Sequence, residues 1–294
     1  MAVRRAATAL FALLLAPSAA WRAPGDTRPN IVLFFPDTIA AEAFGPHYNN
    51  PITRTPNFDS WVSSSNATVF DVAYSSYPQC SPSRASLVTG RHVHTLGHRT
   101  MTHLVQPTEQ SMFRMLRDSG YTTLHYGKND CLAQASFPLT YTYWQGDTGV
   151  AQGACPYSYE EAGYYSFMAG ASTHTGDQPE FNGDLRAVYQ ALALLNSSRV
   201  REPFALFLPG LGAHPPYGMP ADYANMYDPA TIRAQAPLRS VNDTQGKPPY
   251  YGQGGIRGYR NITSFGEDFA YQVAAQYFAR VSYTDYVFGE VGRP

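Results

Sequence analysis

The chain has 294 residues, 44% of them hydrophobic and 15% charged, a globular composition able to bury a substantial core in one large domain or two. Its formal net charge of −1 gives no bulk electrostatic case for binding nucleic acid or an anionic membrane surface.

Arg4 and Arg5 precede an apolar run from Ala6 to Ala16, which Pro17 breaks before the small residues Ser18, Ala19 and Ala20. This pattern predicts a secretory signal peptide over residues 1–20. The run is too short for a membrane anchor, which needs about 20 apolar residues, and no other stretch is long and apolar enough to span. Four N-x-S/T sequons, at Asn66, Asn196, Asn242 and Asn261, fit export and glycosylation. The expected location is the secretory pathway, ending outside the cell or in a lysosome or vacuole.

Residues 21–29 read as a polar linker, and residues 30–294 as one catalytic domain. Ile31 to Phe35 is a continuous apolar run of strand length, expected to be buried on both faces. Thr108 is placed to cap a helix carrying Met112, Phe113, Met115 and Leu116, closed by Gly120. A strand then ends in Leu124-His125-Tyr126. Residues 140–180, rich in Tyr, Gly and Pro, read as an irregular insertion, and 216–265 as another. Leu185, Val188, Leu192 and Leu195 define a helix, Phe204 to Leu208 a third strand, and Phe269 to Phe288 a final helix. Strands alternating with helices predict an α/β fold with a largely parallel sheet. Each strand run is followed closely by a polar group, namely Asp37, Lys128 and His214. Ligands of open α/β sheets gather at the carboxyl ends of strands, so these groups mark a candidate site.

Cys80-Ser81-Pro82-Ser83-Arg84 opens another helical segment. Pro82 suits its first turn and Gly90 its C-terminal cap. Cys80 therefore sits where free N–H groups and the helix dipole favour an anion, and Arg84 is one turn inside.

Followed by Thr89-Gly90-Arg91, that segment resembles the signature of the formylglycine-dependent sulfatases, members of the alkaline phosphatase-like superfamily. Asn30 to Asp37, Thr55-Pro56-Asn57-Phe58-Asp59, Gly120 to Lys128, Pro203 to Tyr217 and Tyr277 to Gly289 are similar to further motifs of that family. The resemblance thus spans Asn30 to Gly289. It implies a sheet sandwiched by helices. It also implies conversion of Cys80 to formylglycine by a formylglycine-generating enzyme. The aldehyde hydrate is then the nucleophile that cleaves sulfate monoesters of small molecules or carbohydrates. Arg84, Lys128 and His214 carry over as catalytic residues. Asp37, Thr38 and Cys80 carry over as ligands of a divalent cation, expected to be calcium.

The chain departs from the family pattern in two places: Thr38 stands where a second Asp is usual, and Asp130 where a His often stands. The family's next strand, with two more metal ligands, would follow Gly289, so the resemblance implies a sheet incomplete at its C-terminal end. His92, His94 and His98 fit no specific metal motif, and the resemblance makes His94 structural. With Cys80 reserved, Cys131 and Cys155 are available to pair; the alternative is three free thiols. Two other functions stay open: a phosphodiester or phosphonate hydrolase of the same superfamily, and an inactive secreted homologue that binds a partner.

Overall fold

The computed structural model describes residues 21–46, 49–64, 67–145, 173–174, 183–235 and 266–292. Its centre is a sheet of β1 (Ile31–Pro36), β2 (Thr122–Tyr126), β3 (Tyr143–Gln145) and β4 (Phe204–Gly210). All neighbours are parallel, in the order β1-β4-β2-β3. The principal helices are α1 (Pro56–Val62), α2 (Cys80–Thr89), α3 (Met112–Asp118), α4 (Gly183–Leu195), α5 (Pro229–Gln235) and α6 (Glu267–Val291).

Alternation along β4 builds both halves of the core. Leu206 and Leu208 join α4 residues Leu185 and Val188 and α6 residues Ala279, Tyr283 and Val287 in one cluster. Ala205 and Phe207 point the other way and join Ala85, Val88 and Phe113 from α2 and α3. A strand covered on both faces must be apolar at every position, which is why these runs are continuous. Burial of each large side chain contributes roughly 1.5–3 kcal/mol.

Several local expectations change. β1 is an edge strand among the described residues, and Val32 is 46% exposed, so this run is not buried on both faces. An apolar groove of about 880 Å³ lies beside it, lined by Val32, Phe34, Trp61 and Phe288 among others. β3 arises inside the segment expected to be irregular, and Trp21–Arg22 in the expected linker pairs with Arg201–Glu202. α3 is capped by Ser111, whose side chain accepts from the Arg114 amide at 3.3 Å, and not by Thr108. Thr108 lies instead in a turn closed by the Glu109 amide on the Gln106 carbonyl at 3.0 Å. Cys131 is a free, fully buried thiol in the second cluster, its pKa pushed up to about 12 by burial, as in the alternative of free thiols. Cys155, residues 1–20, Asn66, Asn242 and Asn261 lie outside the described residues. Asn196 is exposed just after α4. No helix among the described residues is long and apolar enough to cross a membrane.

His125, in β2, is fully buried among Phe137, Tyr141 and Phe207. Burial pushes its pKa down from 6.5 to about 4. The folded chain therefore holds the neutral ring while the unfolded chain takes up a proton below pH 6.5. The stability this gives is complete above pH 6.5 and is lost as pH falls toward 4. A difference of that size corresponds to roughly 3 kcal/mol. Denaturant unfolding between pH 7 and 4 should show the loss, and a His125→Leu chain should show a flatter profile; equal slopes in both chains would contradict it.

Candidate active site

The sheet brings the carboxyl ends of β1, β4 and β2 side by side, with Pro36 opposite Gly210. Two glycines let the following loops meet. Gly127 has φ +129, and a Cβ there would lie 2.3 Å from the Pro209 carbonyl oxygen, so only glycine lets the chain turn and deliver Lys128. Gly212 has φ +54, and a Cβ there would lie 2.4 Å from the Asp37 carbonyl oxygen. Its closeness lets the Ala213 amide donate to that carbonyl at 3.0 Å, tying the His214 loop to the Asp37 turn.

The polar groups converge. Lys128 Nζ is 2.6 Å from Asp37 Oδ2 and 2.9 Å from Asp130 Oδ2. Cys80 Sγ, in the first turn of α2, donates to Asp37 Oδ2 at 3.3 Å and lies 3.7 Å from Lys128 Nζ. One ligand atom each from Asp37, Cys80 and His214 falls within 4.8 Å of the others. His214 Nδ1 donates to the Pro215 carbonyl at 2.5 Å, which leaves Nε2 to accept or bind. Arg84 is only 1% exposed. Its Nη2 donates to the Gly210 carbonyl at 3.2 Å and lies 3.7 Å from Asp37 Oδ2, while Nη1 is buried with no partner. Arg84 thus meets the site at the Asp37 carboxylate.

Charges follow from this packing. Burial works to raise the Asp37 carboxyl, but Lys128, Arg84 and the Cys80 thiol together hold it below the ordinary range. Burial and then Asp37 push the Cys80 thiol up against the pull of Lys128, so the unmodified sulfur is not an activated thiolate. Burial opposes the Lys128 charge, and the two carboxylates outweigh it and raise its pKa.

Thr38 and Asp130 have positive φ, at 59° and 44°, and both lie at this site. Side chains with a Cβ adopt that backbone only at a cost that surrounding contacts must offset, a pattern that clusters at functional sites. Tyr277 Oη donates to the Thr38 carbonyl at 3.2 Å. The Lys128–Asp130 pair is what replaces the histidine expected near that position.

Cys80, Lys128 and Arg84 all approach the Asp37 carboxylate at Oδ2. Asp37, Cys80 and His214 suit one side of a divalent cation. Calcium takes six to eight oxygens, and this cluster gives one carboxylate, so the described residues fit calcium only in part.

Two residues that hold the His214 loop escaped the sequence reading. Asp184, in the first turn of α4, accepts from the Leu211 and Gly212 amides at 2.7 and 3.0 Å and from Arg280 Nη2 at 3.2 Å. Arg280, in α6, donates to the Gly212 carbonyl at 2.6 Å and to the Gly218 carbonyl at 2.8 Å. Together they clamp the loop that carries His214. The signal available in the sequence was an arginine in the polar row Gln272, Gln276, Arg280 and Thr284, at four-residue spacing along α6. Asp285 plays a similar part for α1, accepting from the Asn57 and Phe58 amides at 3.1 and 2.7 Å. Of the neighbouring histidines, His98 is the structural one, bonded to the His103 carbonyl and to Glu109, while His94 is exposed.

A cysteine at a helix N-terminus thus faces a lysine, a carboxylate and a histidine at the carboxyl ends of parallel strands, an arrangement suited to an anionic group. Residues 29–292 match the sulfatase family model, and the chain belongs to that family. It is 26% identical over 223 residues to the ulvan-active sulfatase of Formosa agariphila, covering 70% of this chain and 40% of that protein. The phosphonate monoester hydrolase SpPMH of Silicibacter pomeroyi superposes with a TM-score of 0.66 at 16% identity, over 90% of this chain and 58% of that one. A protein solved in complex with its substrate D-glucosamine-2-N,6-O-disulfate superposes with a TM-score of 0.54 at 17% identity, over 90% of this chain and 60% of that one. The fold is thus the alkaline phosphatase-like one, and the chain spans only part of the length of the proteins it matches.

Proposed function

We propose that this chain carries the nucleophile half of a sulfate monoester hydrolase, with Cys80 matured to formylglycine by a formylglycine-generating enzyme in the secretory pathway. The observation that carries the reading is the placement of Cys80 at the start of α2, 3.3 Å from Asp37 and 3.7 Å from Lys128. The hydrated aldehyde supplies one hydroxyl to attack sulfur and a second whose deprotonation re-forms the carbonyl and expels sulfate. Lys128 neutralises charge on the sulfate oxygens, Arg84 holds Asp37, and His214, when its ring carries a proton on Nε2 as well as the one Nδ1 donates to Pro215, gives that second proton to the departing alcohol. Asp37, Thr38 and the matured Cys80 would hold a divalent cation, calcium in this reading, to polarise the sulfate; its remaining oxygens must come from outside the cluster described. The signal peptide over 1–20 and an extracellular or lysosomal destination belong to the same proposal, with residues 30–294 forming part of the catalytic domain.

Mass spectrometry of the tryptic peptide containing Cys80, from protein matured in a eukaryotic secretory host, tests it. A loss of about 18 Da relative to cysteine is expected, from exchange of SH₂ for carbonyl oxygen. An unmodified thiol from a competent host would sink the reading. The likeness to a phosphonate monoester hydrolase favours a second reading, in which the same nucleophile attacks phosphorus. Release of sulfate from sulfate monoesters against alcohol release from a phosphonate monoester separates the two.

A further inference from the structure

Lys128 stands between two carboxylates, its Nζ 2.6 Å from Asp37 and 2.9 Å from Asp130. Arg84 lies 3.7 Å from the same Asp37 oxygen. The formal charges of these four side chains cancel. One ammonium group therefore serves two carboxylates, and an anion drawn to Lys128, which is 3.7 Å from Cys80 Sγ, also meets the field of Asp130. Asp130 is not walled off from such an anion, because it lines an open cavity of about 430 Å³ together with Ser81, the neighbour of Cys80. The loop fixes it there. Asn129 Oδ1 accepts from the Leu132 amide at 2.9 Å, Asn129 Nδ2 donates to the Leu132 carbonyl at 2.7 Å, and the Cys131 and Leu132 side chains that follow are buried. The φ of 44° at Asp130 is a backbone conformation that aspartate and asparagine adopt more readily than most residues.

We infer that Asp130 is a specificity-determining residue that reads the charge of the bound anion: through its pair with Lys128 it favours esters with one negative charge over esters with two. The inference rests on the sulfatase reading above, in which the ester is cleaved at residue 80. A sulfate monoester and a phosphonate monoester each carry one charge, whereas a phosphate monoester above neutral pH carries close to two. Asp130 thus separates esters by charge and not by whether the central atom is sulfur or phosphorus. Specificity of this kind comes from repelling the wrong ligand as well as from holding the right one. The same repulsion acts on inorganic sulfate, the doubly charged product, and favours its departure. A divalent cation adds equal charge with or without the Asp130 carboxylate, so a comparison between parent and variant does not depend on it.

The test compares the matured full chain with its Asp130→Asn variant, which keeps the side chain's size and tolerates the same φ. Nitrophenyl sulfate, nitrophenyl phenylphosphonate and nitrophenyl phosphate share one leaving group and are assayed at about pH 8, where the phosphate ester is doubly charged. In the variant, kcat/KM for the phosphate relative to the sulfate should rise about tenfold or more, the scale of one unit charge acting over several ångströms in a partly exposed site. The phosphonate-to-sulfate ratio should hold. Calorimetric titration of both chains with inorganic sulfate and with methyl sulfate needs no turnover, and the variant should gain affinity for the doubly charged ion over the singly charged one by a similar factor. A uniform fall on all three esters, the mark of a residue that only supports its loop, would overturn the inference. So would a phosphonate ratio that moves with the phosphate ratio. If the parent cleaves sulfate esters and the phosphate-to-sulfate ratio stays put, the charge role falls and the sulfatase reading stands. If the parent cleaves no ester, the sulfatase reading falls, and the calorimetric preference then upholds or overturns the charge role by itself.

Discussion

A Cys80→Ala chain is expected to lose sulfate monoester hydrolysis by about 10⁵-fold or more, the scale on which removal of a covalent nucleophile acts. The fold should survive, because the hydrogen bonds of Cys80 Sγ run to site groups, Asp37 and Lys128, and its side chain belongs to none of the core clusters. Cys80→Ser gives the sharper result. A serine hydroxyl in that place is able to attack, but its sulfate ester lacks the second hydroxyl that expels sulfate. If the serine is left unconverted, one equivalent of alcohol should appear in a burst and the peptide should gain about 80 Da. Steady turnover by a serine chain whose residue 80 is shown to be unmodified would mean that the geminal hydroxyl has no part in release.

The second large effect concerns stability. Asp184→Ala removes the acceptor of two backbone amides and leaves Arg280 buried without its carboxylate. Breaking one partner of a buried pair costs about 3–5 kcal/mol, most of it from the charge left behind. Denaturant unfolding should show that loss, whereas Arg280→Met should cost less because Asp184 keeps its amide donors. Since both residues hold the loop from Leu211 to Gly218, a properly folded Arg280→Met chain should also lose turnover through a displaced His214. Equal stability of the Asp184→Ala chain and its parent would contradict the clamp.

The elements read correctly in the sequence share one physical cause. Leu124 to Tyr126 and Phe204 to Leu208 are covered on both faces, so burial writes itself into every residue. Asp37, Lys128 and His214 were legible because each closely follows a strand, and a parallel sheet aligns such positions. Cys80 was legible because helix-end chemistry leaves a local pattern in Pro82 and Gly90, and Gly90 does close α2 with φ +66. What escaped depends on distant partners. Asp184 and Arg280 lie 96 residues apart, and nothing local marks either as half of a pair. The three residues of β3 are strand because β2 lies beside them, not because of their own apolar run. An apolar run like Ile31 to Phe35 likewise does not say whether a neighbour lies on one side or two. Thr108 and Ser111 are equally good caps by type, and the turn at Glu109 decides between them.

The open side of β1 bears on how the chain behaves in solution. Among the described residues β1 pairs with β4 alone, so its outer amides and carbonyls form a ready template for another strand. The groove beside it presents Val32, Trp61 and Phe288 to water. Edge-to-edge association of two copies satisfies that backbone and hides that apolar surface in one step. Light scattering of the isolated chain is therefore expected to rise with concentration. Natural edge strands blunt this tendency with a charge, and the half-exposed position of Val32 is where a single lysine does so with least disturbance to the core.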